Sequence, residues 1–181
     1  MAIWGGSLGA RRVNEAALGL YDLWRGRGDV AVRHICGPRD HAECARRLRA
    51  LRSADDGLVY DLVAHEDHME DVYARAAVAV CRAGAGTVAE LTAVGVPAVL
   101  VPLPGAPSDH QTRNSSTLAE AGAAVLLPDA ECDAKRLDGL LTSLLADAAR
   151  LEAMGASSRS LGRIDAAERL ADFVEENADA R

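Results

Sequence analysis

Between Cys81 and Leu91 the chain reads Cys-Arg-Ala-Gly-Ala-Gly-Thr-Val-Ala-Glu-Leu. The apolar run before it, Ala76 to Val80, reads as a short buried strand, and the stretch that follows reads as an apolar-periodic helix. Gly84 and Gly86 permit a sharp turn and a close approach of the backbone to a ligand. The helix then directs its unpaired N–H groups and the positive end of its dipole at whatever sits there. Glu90, one turn inside, is placed to grip a sugar hydroxyl. A strand, a glycine turn, a helix N-terminus and an acid together point to a nucleotide-sugar diphosphate more than to a bare phosphate.

Each of these residues also has a plainer reading. Thr87-x-x-Glu90 matches a capping box, in which Glu90 only satisfies backbone donors at the helix start. Arg82 at the strand end would neutralise a diphosphate or pair with a nearby acid, and without further context the ion pair is favoured. Asp109-His110-Gln111-Thr112-Arg113-Asn114 opens another helix, with Asp109 as its N-cap and the Gln111 and Asn114 amides open to water. In the functional reading His110 and Gln111 reach the crevice of Glu90 and hydrogen-bond sugar hydroxyls. A general-base role for His110 is the less favoured one.

A second glycine loop, Gly5-Gly6-Ser7-Leu8-Gly9-Ala10, lies between a strand and a helix, where glycines admit a phosphate. It is not the dinucleotide fingerprint G-x-G-x-x-G, and the second strand ends in His34-Ile35-Cys36-Gly37 without an acid for an adenosine ribose. A dinucleotide dehydrogenase is therefore the least favoured reading, and the absence of Gly-Lys-Ser/Thr excludes a P-loop. His65-Glu66-Asp67-His68 lacks the H-E-x-x-H spacing, and His34, Cys36, His41 and Cys44 match no standard zinc spacing. No metal or cofactor is expected, and no Ser-His-Asp constellation is legible.

The elements that must hold these groups alternate along the chain. Strands are expected at Ala2–Trp4, Val30–Cys36, Leu58–Val63, Ala76–Cys81, Ala98–Val101 and Ala123–Leu127. Helices are expected near Gly9–Arg25, Arg39–Arg52, Met69–Ala74, Thr87–Val94 and Gln111–Ala121, then Asp133–Ala146, Ala148–Ser158 and Asp165–Glu176. This is the pattern of an α/β protein, a Rossmann-like parallel sheet with helices on both faces, whose ligands bind beyond the carboxyl ends of the strands. The loop Pro102 to Asp109 leaves one such end, a position where loops carry binding groups.

The 181 residues suit one domain, residues 1–181, with 49% hydrophobic and 26% charged residues. Aromatic residues make up only 3%, so Ala, Val and Leu must build the core. A net charge of −7 and the lack of aromatic stacking platforms argue against nucleic acid as a partner. No signal peptide is visible, apolar runs such as Ala98 to Pro104 are too short to span a bilayer, and the four cysteines show no paired spacing. A cytoplasmic location with free thiols is the expectation. The first strand starts almost at once, and no strand follows the sheet's last helices, as if the domain were cut from, or paired with, something larger.

Several of these motifs together resemble the MurG family of N-acetylglucosaminyltransferases. The likeness rests on Gly5-Gly6-Ser7-x-Gly9-Ala10-Arg11, Cys81-Arg82-Ala83-Gly84-Ala85-x-Thr87-Val88-x-Glu90, Pro102-Leu103-Pro104, Asp109-His110-Gln111-x-x-Asn114 and Ala121-Gly122-Ala123-Ala124. It runs from Ile3 to about Leu170 and covers the C-terminal, donor-binding half of a two-domain GT-B enzyme, with the N-terminal acceptor half absent. The resemblance implies UDP-N-acetylglucosamine as donor and inversion at the anomeric carbon without a metal. It implies Gly6 and Ser7 at the diphosphate with Arg82 close by, and diphosphate and sugar contacts from Ala85, Gly86, Thr87, Val88, Ala89 and Glu90. Glu90 would lie on the uridine ribose, and Gln111 with His110 on the N-acetylglucosamine hydroxyls. No residue of this half is expected to be catalytic, and the half itself to make no direct membrane contact. Joined to its acceptor domain, it would work at the inner face of the cell membrane.

Departures from the family pattern are Leu8, where Gln is usual, and His65 and Glu66, where an aromatic and then an aliphatic residue usually stand, the second packing at the uracil. Alone, the chain is expected not to transfer sugar efficiently. Two other readings remain: a donor-binding subunit of a split two-chain transferase with a membrane-anchored partner, and a non-catalytic nucleotide-binding module. A missing domain would leave the apolar face of the last helix, including Leu170, Phe173 and Val174, partly exposed.

Overall fold

The computed structural model describes residues 1–6 and 9–178. Six parallel strands, β1 (Ala2–Trp4), β2 (Ala31–Ile35), β3 (Val59–Val63), β4 (Ala79–Cys81), β5 (Ala98–Leu100) and β6 (Ala124–Leu126), form one sheet in the order β3-β2-β1-β4-β5-β6. The helices between them are α1 (Arg11–Trp24), α2 (His41–Leu51), α3 (Met69–Arg75), α4 (Ala85–Val94) and α5 (His110–Glu120), followed by α6 (Ala134–Leu145), α7 (Ala148–Leu161) and α8 (Ala166–Ala178). Every expected element is present. The bounds differ by up to three residues, at the start of β4 and the end of α7; α4 starts two residues earlier than its periodicity indicates, because Gly84 is still extended (φ −63°, ψ 151°) and Ala85 is already helical.

Side chains alternate across the strands, so each strand feeds two cores. Ile3, Val32, Val80 and Val99 point to one face and are covered by α1, α2 and α6 through residues such as Val13, Leu20, Leu48 and Leu141. Ala2, Trp4, Ala79, Cys81, Ala98 and Leu100 point to the other, under Val72 and Tyr73 of α3, Leu91 of α4 and Leu118 of α5. With buried residues on both faces, β4 and β5 read as continuous apolar runs rather than alternating ones. Ser158 of α7 donates to the Leu91 carbonyl at 3.1 Å and ties α7 to α4.

The histidine and thiol groups of β2 belong to this core. His34 is fully buried, with Nε2 3.0 Å from Asn14 Oδ1 and Nδ1 2.8 Å from the Tyr60 hydroxyl. Asn14 also donates to the Cys36 carbonyl and to Asp40, so one network joins α1, β2, β3 and the start of α2. Cys36 Sγ donates to the Val63 carbonyl at 3.3 Å, and all four cysteines are buried and free. Among the described residues no cluster of three or more His, Cys, Asp or Glu is arranged to hold a metal ion, and no helix is long and apolar enough to cross a membrane.

The last helix lies outside this packing. All of α8 is exposed, and Leu170, Phe173 and Val174 show 63%, 61% and 57% of their surface. An apolar helix face is thus left uncovered by the other described residues.

Burial lowers the His34 pKa from 6.5 to about 4. The unfolded chain therefore binds a proton that the folded chain refuses within that interval. Stability should be full above pH 6.5 and fall as pH drops towards about 4, by on the order of 3 kcal/mol. Unfolding free energies at about pH 7 and about pH 4.5 should differ less in His34→Gln than in the unsubstituted chain. An equal difference in both would mean that other groups set the acid limb.

Candidate functional site

Since β1 and β4 are neighbours and the chain leaves them in opposite directions along the sheet, a crevice opens at their carboxyl ends. Both glycine loops start there. The first leaves Trp4 through Gly5 and Gly6 and is closed by a bond from Gly9 N–H to the Gly6 carbonyl at 2.9 Å. Gly9 sits at φ +76°, and a Cβ on it would lie 2.3 Å from the Cys36 carbonyl oxygen. Only glycine fits that approach. Ser7 and Leu8 lie outside the described residues.

The second loop leads from Cys81 into α4. Among the described residues no side chain caps this helix, and the Val88 N–H is the first to find a partner, the Gly84 carbonyl at 2.9 Å. The N–H groups of Ala85, Gly86 and Thr87 thus project from the helix start, with the positive end of the dipole behind them. Val88 itself packs on the core, and its N–H is already satisfied, whereas Ala85, Gly86 and Ala89 are exposed. Gly84 has backbone angles open to any residue, so it is not needed for a sharp turn. A Cβ on Gly84 or Gly86 would meet no atom of the described residues within 4 Å, so an added methyl group has room there.

The capping box does not form. Thr87 is already inside the helix, and the Glu90 carboxylate instead accepts a hydrogen bond from the Tyr73 hydroxyl at 2.6 Å. Tyr73 is buried on α3 and meets Trp4 edge-on at 5.5 Å, a pair worth about 0.5–1.5 kcal/mol beyond its buried area. Trp4 and Gly6 from the end of β1, Ile35 from β2, and Thr87 and Glu90 from α4 line one cleft of about 210 Å³. His65, Glu66, Met69 and Tyr73 complete it from the β3–α3 side. The Glu66 carboxylate in that wall is held by Arg33, at 3.1 Å from Nε, and by the His68 N–H at 3.2 Å. Those two bonds keep it below the usual carboxylate range, the Arg33 bond contributing most.

The fold turns Arg82 away from this cleft. Its side chain is buried, donates to the Val101 and Pro102 carbonyls at 3.1 Å each, and lies 2.6 Å from Asp129. That last contact is ionic but not aligned as a hydrogen bond, and Arg82 Nε and Asp129 Oδ1 have no hydrogen-bond partner among the described residues. The contacts support the ion-pair reading of Arg82 over a free cation for a diphosphate. Breaking such a buried pair from one side costs about 3–5 kcal/mol, so its substitution would report on folding before binding.

The start of α5 works as a clamp. Gln111 Oε1 accepts from the Ala83 N–H at 3.2 Å and the Leu103 N–H at 3.0 Å, while Asn114 Nδ2 donates to the Ala83 carbonyl at 3.0 Å. One turn of helix thus holds both the N–H and the carbonyl of Ala83, the residue before Gly84, and the Asn114 amide does not simply face water. Asp109 stands at the N-cap position, but its side chain accepts from the Thr112 hydroxyl rather than from a backbone N–H. His110 Nδ1 donates to the Pro107 carbonyl at 2.8 Å, and its ring is exposed. Ser108 and Asp109 hold the left-handed region (φ 51° and 52°), backbone strain concentrated where the proline-rich loop enters the helix.

Of the expected site residues, the fold brings Gly6, Thr87 and Glu90 into one cleft, with Ala85 and Gly86 beside it, and sets Gln111 behind the second loop. Tyr73, Trp4 and Met69 were not read as site residues from the sequence. Their one signal was rarity: in a chain with 3% aromatic residues, two of the few stand at this cleft.

The model of the glycosyltransferase family 28 C-terminal domain matches residues 1–171. The chain belongs to this family. It is 44% identical over 181 residues to the UDP-N-acetylglucosamine–N-acetylmuramyl-(pentapeptide) pyrophosphoryl-undecaprenol N-acetylglucosamine transferase of Acidothermus cellulolyticus, covering 100% of this chain and 48% of that one. It is 46% identical over 184 residues to the transferase of the same name from Alkalilimnicola ehrlichii, covering 98% and 48%. The crystal structure of MurG from Acinetobacter baumannii matches with a TM-score of 0.83 at 31% identity, over 97% of this chain and 49% of that one. The glycosyltransferase VinC, solved with dTDP, matches at 20% identity with a TM-score of 0.65, over 96% and 40%, a likeness of fold alone. The family 28 chain described here thus spans about half the length of the curated relatives it matches, and it corresponds to the C-terminal half of MurG.

Gly84→Ala separates the room before α4 from any structural need for glycine. The substitution should cost the fold no more than about 1 kcal/mol, the difference between glycine and alanine at an N-cap. A methyl group crowding a ligand should weaken nucleoside diphosphate binding roughly tenfold, measured by titration calorimetry. Unchanged affinity would mean that no ligand approaches this face.

Proposed function

We propose that this chain is the donor-binding half of an inverting N-acetylglucosaminyltransferase of the MurG type, and that its crevice takes UDP-N-acetylglucosamine. The observation that carries this reading is the single cleft in which an uncapped helix start and a fixed carboxylate face the same space. The N–H groups of Ala85, Gly86 and Thr87 suit the diphosphate. Glu90, one helical turn further in, suits the ribose hydroxyls. The base would then lie towards His65 and Met69, in a cleft of about 210 Å³. That is below the roughly 300–1,000 Å³ of whole-ligand pockets, so the sugar would extend outside it, towards α5.

The chemistry follows from the charges. As the glycosidic bond breaks, negative charge grows on the departing UDP, and the start of α4 is preorganised to stabilise it. Gln111 has a narrower role than the sequence indicates. Its Oε1 already accepts two N–H groups, so only its Nε2 donors are available to a sugar oxygen. The relatives are about twice as long, and an acceptor-binding domain of the same protein or a partner chain would supply the other half of the site. Such an assembly would act in the cytoplasm at the inner face of the membrane.

Thermal shifts with UDP-N-acetylglucosamine, UDP-glucose, UDP and NAD test the proposal. A ligand at 100 times its dissociation constant adds about 2.7 kcal/mol, readily seen as a higher melting temperature. The uridine compounds should stabilise the chain and NAD should not; the reverse pattern would end the donor-site reading. Glu90→Ala should weaken UDP binding while leaving the unliganded melting temperature close to that of the parent chain. Gln111→Glu keeps an acceptor for the two N–H groups but loses the donor, so it should bind UDP normally and lose any preference for UDP-N-acetylglucosamine over UDP. A retained preference would show that Gln111 does not meet the sugar.

A further inference from the structure

We infer that Tyr73 is the positioning residue of the donor site, the group that fixes the Glu90 carboxylate in the orientation that reads the ribose. The inference rests on the proposal that Glu90 binds the ribose. Glu90 is exposed on the surface of α4, and a glutamate there would otherwise rotate freely among several rotamers. The Tyr73 hydroxyl removes that freedom by donating to Oε2 at 2.6 Å, which leaves Oε1 and the outward lone pairs for a ligand. Tyr73 is itself immobile. Its ring is 4% exposed and is pinned edge-on against Trp4, the residue that leads into the first glycine loop.

The arrangement thus chains three elements of the cleft: Trp4 at the end of β1, Tyr73 on α3 and Glu90 on α4. Burial, and then the bond to Glu90, raise the Tyr73 pKa well above that of a free phenol, so the hydroxyl remains a proton donor throughout the neutral range. A phenol orients the carboxylate without bringing a positive charge to it, whereas an arginine in its place would add one. This selects for two adjacent neutral hydroxyls, the cis-diol of a ribose, over an additional phosphate.

Binding of UDP and of 2′,3′-dideoxy-UDP to the unsubstituted chain, Tyr73→Phe, Glu90→Ala and the double variant, followed by calorimetry, decides the matter. Phenylalanine keeps the ring against Trp4, and dideoxy-UDP affinity serves as the internal control for an intact cleft. In Tyr73→Phe the preference for UDP over dideoxy-UDP should shrink roughly three- to tenfold, with dideoxy-UDP bound as before. Glu90→Ala should abolish the preference, and adding Tyr73→Phe to it should change nothing further. If Glu90→Ala abolishes the preference but Tyr73→Phe keeps it, or weakens both nucleotides equally, the positioning role alone is overturned. If Glu90→Ala leaves the preference intact, the ribose reading fails and the role of Tyr73 falls with it.

Discussion

The parallel pairing of β1 with β4 is the constraint on which the rest of this structure depends. These strands are distant in sequence, yet their register places Trp4 beside Cys81, so the two glycine loops leave the sheet side by side. On either side of this pair the strand order runs outward in opposite directions, which leaves a gap at their carboxyl ends. The start of α4, with the Glu90 carboxylate one turn further in, and the tight glycine turn after β1 can share one cleft only because of that gap.

Around this gap the protein uses few side chains for contact and more for support. No described side chain caps the start of α4, but the N–H and the carbonyl of Ala83 just before it are held by Gln111 and Asn114 of α5. Glu90 is exposed, but Tyr73 fixes it, and Trp4 fixes Tyr73. Arg82 anchors the carbonyls at the end of β5 and pairs with Asp129 beneath the loops. Such a division suits a site that stabilises charge by preorganised dipoles, since donors that need not reorient work at full strength. It also accounts for the strain at Ser108 and Asp109, which bends the proline-rich loop so that Gln111 meets Ala83 and Leu103.

Most of the architecture was legible along the chain. Two-faced burial makes each strand a short apolar run, glycine and proline punctuate the ends, and the helices carry a clear period. The start of α4 was misplaced by two residues, because alanine with only a methyl group, and glycine with no side chain, mark a helix face weakly. That small error bears on function, since it turned an uncapped helix start into an apparent capping box. The charged residues were harder still. Whether Arg82 faced a ligand or Asp129 depended on which side of the sheet position 82 occupies, and on where the chain returns more than forty residues later.

By itself, the sequence determined the fold class, the order of the elements and the family 28 motifs, because these depend on local propensity and periodicity. Only the tertiary structure decided which motif residues share the cleft. It turned Arg82 inward to Asp129, committed the Gln111 carbonyl oxygen to two backbone donors, and brought Tyr73 from a different helix to Glu90. Hydrogen bonds of this kind join residues far apart in the chain, and their partners are set by strand order and register, which no local pattern encodes.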